Sequence, residues 1–122
     1  MWEPGQAGHA FFHELSPEGD DLVVVKTSCD AFRDTRFAEV LAEKGIDTLC
    51  IGGYASEYCV DTTVRSAASK GYRTIVLADA HTTRNRAHMD AAPIIVHHHI
   101  TWAGFVNPGN PVQVLPVAKA FS

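Results

Sequence analysis

Cys59 is the residue whose setting most resembles a reaction centre. It lies in the stretch Leu49 to Thr63, LCIGGYASEYCVDTT, where an apolar run ends in Gly52 and Gly53 and a short polar step leads into a helical pattern. A helix starting at Ser56 puts Cys59 in its first turn. Unpaired N–H groups and the positive end of the helix dipole favour a thiolate there, and a thiolate is the species that attacks a carbonyl carbon. Lys26, closing another apolar run, would help as a cationic neighbour; Glu57 would oppose if close. The glycines permit a sharp turn that aims backbone N–H groups at a ligand, and helix-start N–H groups can hold an oxyanion. The same cysteine also reads as a small buried side chain on an apolar stripe, and the pattern alone leaves both readings open. Cys50 reads as strand core. Cys29, in a loop, either faces the site or is passive.

The elements that would position these residues follow from periodicity. Met1 to Asp21, rich in Gly, Pro and His, reads as a loop arm. Leu22 to Val25, closed by Lys26, reads as a buried parallel strand. Thr27 to Thr35 is a loop carrying Phe32. A short helix over about Arg36 to Lys44 is capped by Gly45. Thr48 to Ile51 is a second strand, and a helix over Ser56 to Lys70 buries Cys59, Val60, Thr63, Val64, Ala67 and Ala68. Ser56 is its expected N-cap and Gly71 its C-cap. Arg73 to Ala78 is a third strand, followed by a polar loop from Asp79 to Arg86. With Asp90 as N-cap, Pro93 falls in a first turn that needs no N–H, so a helix runs over Ala91 to Ala103, with Ile94, Ile95, His98 and Trp102 on one side. Val112 to Leu115 is a last short strand. The order β-α-β-α-β-α-β predicts an α/β fold, three-layer α-β-α around a parallel sheet. In such sheets the site lies beyond the carboxyl ends of the strands, which selects Lys26, Gly52 to Cys59, and Asp79 to Thr83.

Composition narrows the function classes. The 122 residues fit one domain, able to bury roughly two-thirds of its unfolded surface. A net charge of -4 gives nucleic-acid binding no support. No apolar run approaches the roughly 18 residues of a membrane span. Three cysteines without CxxC spacing, and a start lacking a basic-then-apolar segment, predict a reduced cytoplasmic protein.

Taken jointly, Gly53-Tyr54-Ala55-Ser56-Glu57-Tyr58-Cys59-Val60, Thr63, Ala67, Gly71-Tyr72 and Asp79-Ala80 resemble the signature of the isochorismatase-like cysteine hydrolases, and Val25-Lys26 with Ala31-Phe32 resembles that family's lysine strand. The likeness covers about Gly5 to Leu115, so residues 1–122 are expected to form one such domain of Rossmann-like type. It implies Cys59 as nucleophile, Lys26 as triad lysine, backbone N–H groups of Ala55 and Cys59 as oxyanion hole, and a cis Tyr54–Ala55 bond. It also implies a small-molecule amide or related C–N or ether substrate and no cofactor. Asp79-Ala80 matches a structural position. The family's triad aspartate, on its first strand, has no counterpart; Asp20, Asp21 and Asp30 do not match it. The expectation is therefore an N-terminally truncated member. A catalytically inactive binding or interaction module is the alternative, and a thiol redox sensor using Cys59 and Cys29 a third.

Phe32, Tyr54 and Tyr58 are candidate substrate-binding residues, or else edge-of-core aromatics. Seven histidines raise a metal reading. His97, His98 and His99 splay about 100° apart on a helix and cannot share one ion, and His9 and His13 do not reproduce the zinc spacing of some relatives, so no metal site is expected. His98 should face the core, with His97 and His99 in solvent or at a subunit contact. Arg84, Arg86 and Lys70 read as a solvated face. Relatives are commonly oligomeric and sheet edges invite pairing, so the expected partners are a small-molecule substrate and further copies of the chain, with no nucleic acid or membrane.

Overall fold

Ile75 and Val76 are both buried although successive strand residues point to opposite faces, so the strand that carries them is covered on both sides. The computed structural model describes residues 18–107 and 109–121; most of the expected arm over Met1 to Asp21 lies outside the described residues. The elements are α1 (Phe37–Glu43), β1 (Thr48–Tyr54), a π-helical turn (Ser56–Val60) running directly into α2 (Asp61–Ser69), β2 (Arg73–Thr82), α3 (Ala91–Ala103), β3 (Gln113–Leu115) and α4 (Val117–Ala120). Among the described residues the sheet is parallel, in the order β1-β2-β3. The α/β class and parallel strands are those expected.

Helix α2 is the wall shared by two apolar clusters. Val60, Val64 and Ala68 meet Val76, Trp102 and Val112, while Ala67 meets Phe32 and Leu41. Trp102 is fully buried, and its one polar atom is satisfied: Nε1–H donates to Asp61 Oδ1 at 2.8 Å. The helix ends as expected at Gly71. The Gly71 N–H donates to the Ala68 carbonyl and the Tyr72 N–H to the Ala67 carbonyl, a closure that needs the left-handed backbone found at Gly71, φ 93°.

A second glycine shapes the site end of the sheet. β1 and β2 pair from Thr48↔Arg73 to Ile51↔Val76, and again at Gly53↔His81 and Tyr54↔Thr82. Across the gap β1 advances from Ile51 to Gly53 while β2 advances from Val76 to His81. On its other side β2 pairs with β3 from Ile75↔Gln113 to Leu77↔Leu115, and beyond Leu77 it returns to β1 alone. The return brings the Ala80 carbonyl within 2.5 Å of where a Cβ on Gly52 would sit, so only glycine fits.

Several expectations need correction. Leu22 to Lys26 forms no strand, and Leu22, Val23 and Val25 are about half exposed. A β-branched run favours extended backbone, yet a strand exists only against a partner's ladder, and none lies beside it among the described residues. Three strands rather than four are thus present there. β2 runs on through Thr82, into residues read as loop. Ser56 is the first helical residue, and the cap position falls to Ala55. Helix α3 matches the expected bounds, but Asp90 makes no side-chain cap; Asn85 Oδ1 accepts from the Ala91 N–H instead. Asp79 accepts from the Val117 N–H at 2.9 Å, tying β2 to the start of α4.

Gly52→Ala should destabilise the fold by about 1–3 kcal/mol, the usual cost of forcing atoms into filled space. Urea unfolding checks this, and an unchanged midpoint would contradict the close approach.

Candidate active site

Lys26 and Cys59, far apart in sequence, meet at the sheet end: Lys26 Nζ lies 3.4 Å from Cys59 Sγ and donates to the Ser28 carbonyl at 2.9 Å. No ladder holds the lysine segment. Side chains of α2 hold the loop that follows it. Thr63 Oγ1 donates to the Cys29 carbonyl and accepts from the Ala31 N–H, each at 3.1 Å. One turn on, Ser66 Oγ donates to Asp30 Oδ2, whose other oxygen accepts from the Phe32 N–H. Asp30 therefore faces α2. Among the described residues no carboxylate forms an ion pair with Lys26.

Cys29 lies in this site. Burial pushes its thiol up, its hydrogen bond with Cys59 and the charge there act the same way, and Lys26 acts against them. All three cysteines are free and half-buried.

The turn that carries Cys59 is wide. Both Tyr58 and Val60 donate to the Ala55 carbonyl, and the Tyr54–Ala55 peptide is cis. Ala55 is buried at the start of the turn, where backbone N–H groups lack intrahelical partners. Ser56 is fully buried and hydrogen-bonded to His81 Nδ1 at 2.7 Å, and His81 Nε2 lies 2.7 Å from His99 Nε2. Burial holds His81 below the usual imidazole range, with His99 and His98 pushing the same way; burial and then His98 do likewise for His99. With both rings neutral, one proton fills each gap of the chain; two charged rings would set N–H against N–H across 2.7 Å. Ser56, sealed from solvent, positions the turn and has no access to a ligand. This triplet was not among the expectations, which put His99 in solvent or at a subunit contact. The polar residues at the end of β2 were its only signal.

Glu57 does not confront the thiol. Thr83 Oγ1 donates to its Oε1 at 2.6 Å and Arg86 Nε to its Oε2 at 3.0 Å, with both charged side chains more than four-fifths buried. Its pKa is held down at about 2 by the Arg86 hydrogen bonds, which outweigh the opposing burial, with Thr83 adding to them. Arg86 is thus no solvated residue; its guanidinium also lies over the Tyr58 ring. Tyr58 is half exposed and, with Glu57, Arg86, Met89 and Ile94, lines a cavity of about 340 Å3. Tyr54 is 57% exposed. Of the two readings for Phe32, the structure favours core: it is buried among Leu41, Ala67, Phe37 and Tyr72, its ring stacked on Tyr72. His98 packs on Trp102 as expected. Among the described residues no group of three or more His, Cys, Asp or Glu converges as a metal would require; His9 and His13 lie outside them. No helix there is long and apolar enough to cross a membrane.

Comparison with known proteins places this geometry. An isochorismatase domain model matches residues 1–99. Over 84 residues the chain is 36% identical to a secreted isochorismatase effector of Verticillium dahliae, covering 69% of this chain and 44% of that protein. Over 76 residues it is 37% identical to a ureidoacrylate amidohydrolase of Methylorubrum extorquens, covering 62% and 31%. An isochorismatase crystal structure from Pseudomonas putida superposes with a TM-score of 0.81 at 34% identity, over 93% of this chain and 58% of that one. The chain thus spans about a third to under half of the length of these two curated relatives.

A carboxylate with a lowered folded pKa adds stability that is present above its unfolded value and lost as pH falls through the folded one. Glu57 should therefore contribute above pH 4.5 and lose that contribution by about pH 2. Denaturant midpoints of Glu57→Gln should fall less steeply across this window than those of the unaltered protein; parallel curves would deny the ion pair its role.

Proposed function

The chain belongs to the isochorismatase family, and from that premise we propose that it acts as a cysteine-dependent hydrolase on a small-molecule amide or a related C–N or ether substrate. The observation that carries this reading is the 3.4 Å approach of Lys26 Nζ to Cys59 Sγ. An ammonium at that distance stabilises a thiolate. The thiolate adds to the substrate carbonyl, and the N–H groups of Ala55 and Cys59 hold the oxygen as it gains charge. The amine leaves with a proton, giving a thioester on Cys59. Water then cleaves the thioester and returns the thiol. Tyr54 and Tyr58, both well exposed beside the turn, serve as substrate contacts. The name of the Methylorubrum relative supports a C–N bond as the one cleaved. Self-association belongs to the same reading, supported by the exposed Leu22, Val23 and Val25.

A second reading, a binding module without turnover, is favoured by one observation. Among the described residues no carboxylate is bonded to Cys59 or Lys26, and Asp30 is committed to α2. A carboxylate base is what would activate water for the second half of the reaction.

Two measurements separate these readings. Iodoacetamide should label Cys59 faster than Cys50, and Lys26→Ala should slow Cys59 labelling by about tenfold, the worth of one charge-assisted hydrogen bond. Equal rates, insensitive to the substitution, would remove the case for an activated thiolate. Mixed with a chromogenic thioester or activated amide, the protein should release a stoichiometric burst followed by slow turnover, both lost in Cys59→Ala. Binding without any burst would establish the second reading.

A further inference from the structure

We propose that Cys29 and Cys59 form a reversible disulfide on exposure to peroxide, so that the nucleophilic site is also a redox-modification site. The residues around Cys29 are pinned to those around Cys59 at two points. Lys26 Nζ joins the Ser28 carbonyl to Cys59 Sγ, and Thr63, one helical turn beyond Cys59, holds the Cys29 carbonyl and the Ala31 N–H. Cys29 thus directly follows the residue whose carbonyl shares the Lys26 ammonium with Cys59 Sγ. Both cysteines are half-buried, open enough for peroxide, and neither is in a disulfide. Cys29 sits at a bend outside helix and strand, and with Thr63 holding its carbonyl its side chain can still turn about χ1 toward the geometry that an S–S bond demands. Cys50 lies within β1, in register with Ile75, and lacks that freedom.

The chemistry balances with hydrogen peroxide as the oxidant. The Cys59 thiolate attacks one peroxide oxygen; an S–O bond forms, the O–O bond breaks, and the departing hydroxide takes up a proton as water. Cys29 sulfur then attacks the sulfenic sulfur; the S–S bond forms, the S–O bond breaks, and the oxygen leaves as a second water carrying the Cys29 proton. Two thiols lose two electrons and one peroxide becomes two waters. An added dithiol reverses the bond by exchange. The oxidised form has no nucleophile, and Cys59 is spared the irreversible sulfinic state.

The proposal rests on the thiolate reading of Cys59, and the experiment keeps the two apart. The full chain is treated with near-stoichiometric hydrogen peroxide and read by intact mass and peptide mapping, with iodoacetamide labelling of an untreated sample alongside. The expected product is lighter by about 2 Da, yields a Cys29–Cys59 linked peptide pair, and reverts with dithiothreitol. Cys29→Ser, given a second equivalent of peroxide, should instead gain about 32 Da at Cys59, the sulfinic acid. Rapid Cys59 labelling without the linked pair, or a link from Cys59 to Cys50, would overturn the disulfide and leave the thiolate standing. Slow labelling together with no linked pair would overturn both.

Discussion

One hydroxyl, that of Thr63, makes the proposed site possible. It donates to the carbonyl of Cys29 and accepts from the N–H of Ala31, both at 3.1 Å. The lysine segment has no ladder to fix it, and an unpaired extended chain is expensive to order. Thr63 supplies the missing constraint from a helix that is itself locked into both apolar clusters. Cys59 lies one turn earlier on the same helical run. The anchor for the lysine loop and the sulfur that the lysine meets are therefore parts of one rigid element.

The opposite side of the Cys59 turn is fixed through β2. The bulge at Gly52 returns β2 to β1 and sets His81 level with Gly53, within reach of Ser56. Thr83, two residues on, and Arg86 take up both oxygens of Glu57. The turn is thus held by a neutral buried bond at Ser56 and a charged pair at Glu57. Pairing Glu57 with Arg86 also removes the electrostatic objection that a carboxylate two residues from Cys59 would raise.

How much of this was legible depended on whether the cause was local. The bounds of α3 could be read because Pro93, the apolar spacing and Gly104 all act within the helix. The stripe on α2 and its Gly71 cap were equally readable. The Leu22 run misled because its composition favours a strand while strand formation depends on a neighbour elsewhere in the chain. Ser56 misled because a serine at a helix start ordinarily caps it, and here a buried imidazole claims the hydroxyl. His99 was hidden among three consecutive histidines, since periodicity does not say which one meets a partner on β2. Phe32 could be read as core or as pocket lining, and the choice fell to Tyr72 and Leu41, residues that sequence proximity does not associate with it. The structure sets Lys26 beside Cys59, although the lysine reaches that edge without the strand on which the expectation rested.

The π-turn has a consequence for how this stretch tolerates insertions and deletions. A π-turn is an α-helix carrying one surplus residue. Upstream of it Ser56 is aimed at His81; downstream of it Val64 and Ala68 are aimed at Trp102. Deleting any single residue between Ser56 and Val60 would leave a sound helix and rotate one of those two sets by about 100°. The spacing from Ala55 to Asp61 is therefore as much a part of the site as the side chains it carries, and a gap there would matter more than most substitutions.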